Sequence, residues 1–201
     1  MSQQAEALLD ELDDTLSRVT GSKRLNMLRQ MTDLFLAGAP TYSEELASLF
    51  DAIIKRLSEG VESKALVELS NRLATTETAA PDTLARLGSS DDLAVATPVL
   101  EKSTMLTDNH LVGIAKTKGQ GHLMAIAARQ RINDVVTDVL VERGNTAVLR
   151  KVTGNGGAAL SEDSFARLIT EAKNDKPLAQ LVKTREDIPE ELRPFVSVML
   201  P

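Results

Sequence analysis

The sequence predicts an all-α protein, an N-terminal helical bundle or set of stacked hairpins that continues into an α-solenoid. Three observations predict it. Apolar residues in the first 78 positions recur at the three- and four-residue spacing of an amphipathic helix. From residue 80 onward a helix-start pattern returns every 26 to 28 residues. The chain of 201 residues has only five aromatics, Phe35, Tyr42, Phe50, Phe165 and Phe195. Sandwiches and barrels lean on aromatic and β-branched strands.

The first helix is expected over 5–19, where Leu8, Leu9, Leu12, Leu16 and Val19 share a face. Thr20-Gly21-Ser22 stops it and caps the next. Leu25, Leu28, Met31, Leu34 and Phe35 form a second face, ended by Gly38-Ala39-Pro40. Thr41-Tyr42-Ser43-Glu44 fits a capping box, with Thr41 as cap and Glu44 reaching back. A third helix then runs to about Glu59 and stops at Gly60. A fourth, over roughly 62–76, carries Leu66, Leu69 and Leu73. Short connections between four helices suggest antiparallel neighbours.

The repeating pattern is an apolar residue, then a cap or proline, then an acid. It stands at Ala80-Pro81-Asp82, Leu106-Thr107-Asp108, Ile132-Asn133-Asp134, Leu160-Ser161-Glu162 and Ile188-Pro189-Glu190. The cap or Pro opens the first turn, and the acid faces the positive end of the helix dipole. Leu84, Leu111, Val136, Phe165 and Leu192 follow at staple spacing. Each unit has room for a second short helix, at Asp91–Ala96, His122–Gln130, Thr146–Val152 and Pro177–Thr184. Thr97-Pro98 reads as the cap and first residue of a separate turn, since Pro is poor inside a helix. Two helices per unit at this period is the sign of an α-solenoid. The expected organisation is a four-helix region over 1–78 and repeats over 79–201, with units starting near 80, 106, 132, 160 and 188. The two regions could also join in one continuous superhelix. The apolar end, Phe195 to Leu200, has no polar cap, so that end is expected to pack on something or the natural chain to continue.

Short ordered blocks resemble a known family. They are Leu34–Ala39, Leu49-Phe50-Asp51, Val95–Leu100, Ala125–Arg129 and Val136–Gly144. Together they are similar to the bacterial domain-of-unknown-function family twenty-three thirty-six, over about Leu25 to Leu192. The resemblance implies a superhelix of HEAT-like or leucine-rich-variant-like repeats and no reaction. With it, the solenoid is expected to be right-handed and built of short HEAT-like repeats.

Composition excludes several chemistries. There is no Cys, hence no disulfide, thiolate metal site or thiol catalysis. No apolar run approaches the roughly 20 residues that span a bilayer. The start lacks a signal peptide's basic region, so the expected location is cytoplasmic, with no membrane partner. The formal charge of −6 is unevenly spread. Residues 1–115 carry a net −8, residues 116–151 a net +4, and residues 152–201 a net −2.

The basic segment is the functional lead. Lys116, Lys118, Arg129, Arg131, Arg143, Arg150 and Lys151 sit near the ends of successive short helices. In a solenoid such positions line up, giving a groove for an acidic protein segment or a phosphate. The plainer reading is that Lys and Arg favour the last turn of any helix. Gly154-Asn155-Gly156-Gly157-Ala158-Ala159 matches G-x-G-x-x-A with Asp175 downstream, but no βαβ unit surrounds it. It reads as a loop between units. His110 and His122 lack metal-ligand spacing, and His122 reads as exposed or capping. Asp10, Glu11, Asp13 and Asp14 read as a solvated helix face. No catalytic residue, metal ligand or cofactor is assigned.

These features favour a non-enzymatic scaffold that binds a protein partner through a solenoid surface. A homodimer through the apolar C-terminal end is a variant of it. Nucleic-acid binding is the alternative, disfavoured by acidic flanks and few stacking rings. An enzyme with an unrecognised site is the second alternative.

Overall fold

The computed structural model describes residues 3–16, 18–38, 41–77 and 80–199, the side chains of residues 3–6, 8 and 199 aside. The expected roles of Leu8, Ala39-Pro40 and Leu200 lie outside the described residues, as does the proposed boundary at Thr78. Among the described residues the chain is all-helical, with thirteen helices and no strand. No helix among them is long and apolar enough to cross a membrane.

The chain forms two compact units, Met1–Leu106 and Thr107–Pro201. The first holds α1 (Gln3–Leu16), α2 (Gly21–Gly38), α3 (Glu44–Leu57), α4 (Ser63–Leu73), α5 (Pro81–Gly88) and α6 (Leu93–Lys102). The second holds α7 (Asp108–Thr117), α8 (Gln120–Ala127), α9 (Asp134–Arg143), α10 (Thr146–Thr153), α11 (Glu162–Ala172), α12 (Lys176–Lys183) and α13 (Arg193–Met199).

Within each unit the helices pack in two rows. In the first, α1, α3 and α5 follow one another, and α2, α4 and α6 do likewise. In the second, α7, α9, α11 and α13 make one row and α8, α10 and α12 the other. The core between the rows is built from the residues that the repeating pattern marks. Ala80, Leu106, Ile132 and Ile188 before the helix starts are buried. So are the staple residues Leu84, Leu111, Val136 and Phe165, while Leu192 is half-buried. Phe35, Tyr42 and Phe50 form one aromatic cluster in the first unit, with the Tyr42 and Phe50 rings stacked 5.0 Å apart.

Several helix ends differ from expectation for physical reasons. Ser43, not Thr41, caps α3, accepting from the Leu46 amide at 3.3 Å. Thr41 instead donates to the Gly38 carbonyl, and the Tyr42 hydroxyl donates to that of Leu34. Both bonds tie the loop back onto α2, so the next helix begins two residues later than the capping box implies. Pro98 lies inside α6 and does not start a new turn. Val95, Ala96, Val99 and Leu100 are fully buried around it, and that packing outweighs the missing amide donor. Only the exposed Ala94 carbonyl loses its partner in the helix ladder. The last helix starts at Arg193 instead of Pro189. Single turn bonds, Leu192 N to Pro189 O and Arg193 N to Glu190 O, fill the interval.

Ala80 has no side-chain oxygen to cap α5, yet the end is satisfied. The Asp51 carboxylate on α3 accepts from the amides of Asp82 and Thr83, both at 2.9 Å. Asp51 is buried there, 4% exposed. This is an N-cap supplied from the neighbouring helix.

Candidate interaction surface

The sequence places α8, α10 and α12 in one register. They begin at Gln120, Thr146 and Lys176. The third, fourth and seventh positions of each are buried: His122, Leu123 and Ile126; Val148, Leu149 and Val152; Leu178, Ala179 and Val182. The first, second and fifth positions therefore face outward. They are Gln120, Gly121 and Met124; Thr146, Ala147 and Arg150; Lys176, Pro177 and Gln180.

Charge separates by row. Helices α8, α10 and α12 carry four cations, Arg150, Lys151, Lys176 and Lys183, and no acid. Helices α7, α9 and α11 carry seven acids against three cations. The second unit as a whole has 13 Lys and Arg against 12 Asp and Glu, so the separation is one of placement and not of total charge.

The seven basic candidates go to different places. Lys116 is exposed near the end of α7, and Lys118 is its half-buried C-cap. Arg143 on α9 joins them: its Nη1 donates to the carbonyl of Ala115 and, at 3.3 Å, to that of Lys118. Arg131 is exposed between α8 and α9. Arg129 is buried, 9% exposed, and burial pulls its guanidinium below the usual arginine range against the opposing charge of Asp108. Only Arg150 and Lys151 lie on the α8–α10–α12 row. Arg150 pairs with the Asp175 carboxylate at 3.0 Å. Burial alone would raise that carboxyl, but the Leu178 amide and Arg150 outweigh it and hold it low.

Lys176 stands at the first, outward position of α12 and Lys183 is exposed at its last residue, both outside the segment singled out from charge. In the shared register Lys176 is equivalent to Thr146, and the position of Arg150 is taken in α12 by Gln180. Around them the surface is small or apolar. Ala147 and Pro177 are exposed and Leu181 is half-buried. Gly154 adjoins Leu181, since a Cβ on it would stand 3.2 Å from a Leu181 methyl. Beside this face Asp175 pairs with Arg150 and Asp187 with Arg185, and Glu186 is exposed. At the ends of α10 and α12 an open cleft of 470 Å³ is lined by Thr153, Leu181, Thr184 and Arg185 and by the acids Glu186 and Asp187.

Arg185 is a polar anchor with no signal in the charge pattern, because its partners are backbone carbonyls of another helix pair. Its side chain is 7% exposed. It donates to the carbonyls of Thr153, Asn155 and Ala158 at 3.3, 3.0 and 2.7 Å, and lies 5.7 Å from the Phe165 ring centre. Its guanidinium holds the Asp187 carboxyl below the usual range.

The glycine stretch is a loop between helices, as its context implies. Gly154 caps the end of α10. Asn155 Nδ2 donates to the carbonyls of Ala127 and Arg129. Gly157 brings its backbone onto the loop before α9: the Ile132 amide donates to its carbonyl at 3.0 Å, and the Ala159 amide to that of Ile132 at 2.8 Å. No helix opens on these glycines, so no phosphate cradle forms. His122 is 5% exposed within α8, which corrects its reading as an exposed or capping residue. Its place is the third position of the helix, a buried slot in all three helices of the row. Asp10, Glu11, Asp13 and Asp14 are exposed as expected, with Asp13 paired to Arg56 at 2.9 Å. No group of three or more potential metal ligands occurs among the described residues.

Residues 95–195, from within α6 to within α13, match the model of a family described as an uncharacterised protein conserved in bacteria, DUF2336. The chain belongs to that family. The DUF2336 match covers the described second unit almost completely, including the α10–α12 face. The blocks at Leu34–Ala39 and Leu49-Phe50-Asp51 lie outside it. No curated protein and no solved structure matches the chain.

Proposed function

We propose that the protein is a non-enzymatic scaffold in which stacked short helical pairs, arranged as HEAT-like α-solenoid, bind a protein partner. The observation that carries this reading is the two-row packing of each unit, in which every second helix stacks on the last. Such stacking presents a broad surface built from equivalent positions of successive helices, which suits recognition of another chain. The 26–28-residue recurrence of helix starts supports the same reading. Cytoplasmic location belongs to it as well, since the expected partner is a soluble protein.

The test is native purification of the chain tagged at its own locus, followed by cross-linking mass spectrometry. The expected result is a protein recovered in fixed ratio and cross-linked to the helical rows. A chain that runs free of any protein at its natural level refutes the scaffold.

A further inference from the structure

We propose that the groove between α11 and α13 is a docking site for a second copy of this chain, packed antiparallel about a two-fold axis. This goes beyond the scaffold reading and does not depend on it. The groove has a volume of 240 Å³ and is lined by Ala166, Ile169 and Thr170 of α11 and by Leu192 and Phe195. None of these carries a charge, so the lining suits aliphatic and aromatic side chains and offers nothing to hold an ionic ligand. Phe195 is 51% exposed, the one exposed aromatic of the five in the chain. Val198, one turn further along α13, is 85% exposed. Large apolar side chains left in water together on one short helix mark a surface that another protein covers.

Charge complementarity selects a second copy as the occupant. Glu162 is the first residue of α11 and Lys173 its helical C-cap. By helix geometry they lie about 20° apart around the axis and about 16 Å apart along it. Ala166 follows Glu162 by one turn and Ile169 precedes Lys173 by one turn, so the groove residues lie between the two charges. Both charges are exposed, and neither enters the ion pairs of the described residues. The face is therefore negative at one end, apolar in the middle and positive at the other. Turned end for end, it matches itself. Glu162 meets the partner's Lys173, Lys173 meets the partner's Glu162, and the small Ala166 lies opposite the partner's Ile169. Asp163 adds a second exposed acid at the negative end. The remaining charges of α11 are turned elsewhere. Arg167 donates to the Glu142 carbonyl on α9 at 2.9 Å, and Glu171 lies about 160° round the helix from Lys173. Beside α13, Arg193 Nε donates back to the Ile188 carbonyl at 3.2 Å, and Glu190 and Glu191 lie outside the lining. A second copy carries the matching charges already, and a two-fold interface makes each such contact twice.

The test follows the full chain by sedimentation equilibrium over about 1–100 µM, where mass action drives monomers into dimers. A reversible monomer–dimer equilibrium is expected. Phe195→Ser should weaken it about ten-fold or more, as loss of a buried aromatic anchor does. Glu162→Lys and Lys173→Glu each set like charges against one another twice, and each should weaken the dimer about ten-fold. An equal mixture of these two variants should return to within about two-fold of the parent, because the mixed dimer restores both opposite-charge contacts. Both charge substitutions fall on exposed positions, so they test the interface even if Phe195→Ser unfolds α13. A chain that stays monomeric at about 100 µM overturns the proposal and leaves the groove to a different protein. So does a dimer that all three substitutions leave unchanged, or a mixture no tighter than either charge variant alone. In any such case a different protein recovered by cross-linking leaves the scaffold reading standing.

Discussion

Substituting Gly157 by alanine should loosen the junction between the loops before α9 and after α10. A Cβ there would stand 1.9 Å from the Gln130 carbonyl oxygen and 3.0 Å from its carbon. A carbon–oxygen contact needs about 3.3 Å, so the two backbones must part by roughly 1.4 Å. No side chain can swing aside, because both partners are main chain. The separation stretches Ile132 N to Gly157 O and Ala159 N to Ile132 O, now 3.0 and 2.8 Å, beyond bonding range. Each bond contributes about 0.5–1.5 kcal/mol, and stranding buried groups costs about 1–3 kcal/mol more. Ile132 is 4% exposed, so water restores little to its amide and carbonyl, while the exposed Gly157 and Ala159 regain water. The expected loss is about 2–4 kcal/mol. Urea unfolding followed by far-UV circular dichroism measures it. Gly156→Ala is the control, since its Cβ would meet nothing within 4 Å. It should stay within about 0.5 kcal/mol of the parent. Equal stability of Gly157→Ala and the parent, or equal losses in the two variants, would refute the close-approach argument.

Arg185→Ala should destabilise the second unit by about 3 kcal/mol, because three carbonyls and Asp187 lose a buried donor. Arg185→Lys should recover less than half of that in the same unfolding experiment, since one ammonium cannot replace the fork. Asp51→Ala should cost about 2–4 kcal/mol by leaving two amides of α5 without a cap, and Asp51→Asn roughly half as much. Equal losses for the two variants would contradict a cap that uses both oxygens. Asp175 and Asp187 are held below the usual carboxylate range, so their folded pKa values lie under the unfolded ones. Their contribution is complete above the unfolded value and fades as pH falls through the folded one, so the urea midpoint should drop below about pH 4. Asp175→Asn should make that drop shallower, and an unchanged slope would count against the Arg150 pair.

Helix positions were legible because their signals are local. Thr107 and Ser161 cap α7 and α11 as the repeating pattern requires. Leu84, Leu111, Val136 and Phe165 bury as their spacing predicts, and Leu192 does so in part, because amphipathic periodicity needs no knowledge of neighbours. What escaped depends on a second helix. Asp51 is an ordinary acid on α3 until α5 comes to rest beside it, and Gly157 is one turn glycine among several until Gln130 faces it. Pro98 reads as a helix start because its penalty is local, while the burial that overrides it is tertiary. Net charge along the chain pointed to residues 116–151, but charge along a sequence is not charge along a face. Arg143 is spent on the end of α7, Arg129 is buried, and Arg150 is paired with Asp175, a contact that only helix stacking reveals.

The cross-helix hydrogen bonds described in the second unit close spans of 22 to 32 residues, from Thr137–Ala159 to Arg185–Thr153. No tie needs a segment far along the chain, so the entropy of bringing partners together stays small and nearly uniform. Contacts of such low sequence separation favour fast folding. They also let each helix pair settle as soon as the next has left the ribosome, before the C-terminal pairs exist. Growth from the N-terminal side is then the natural order of assembly for this unit.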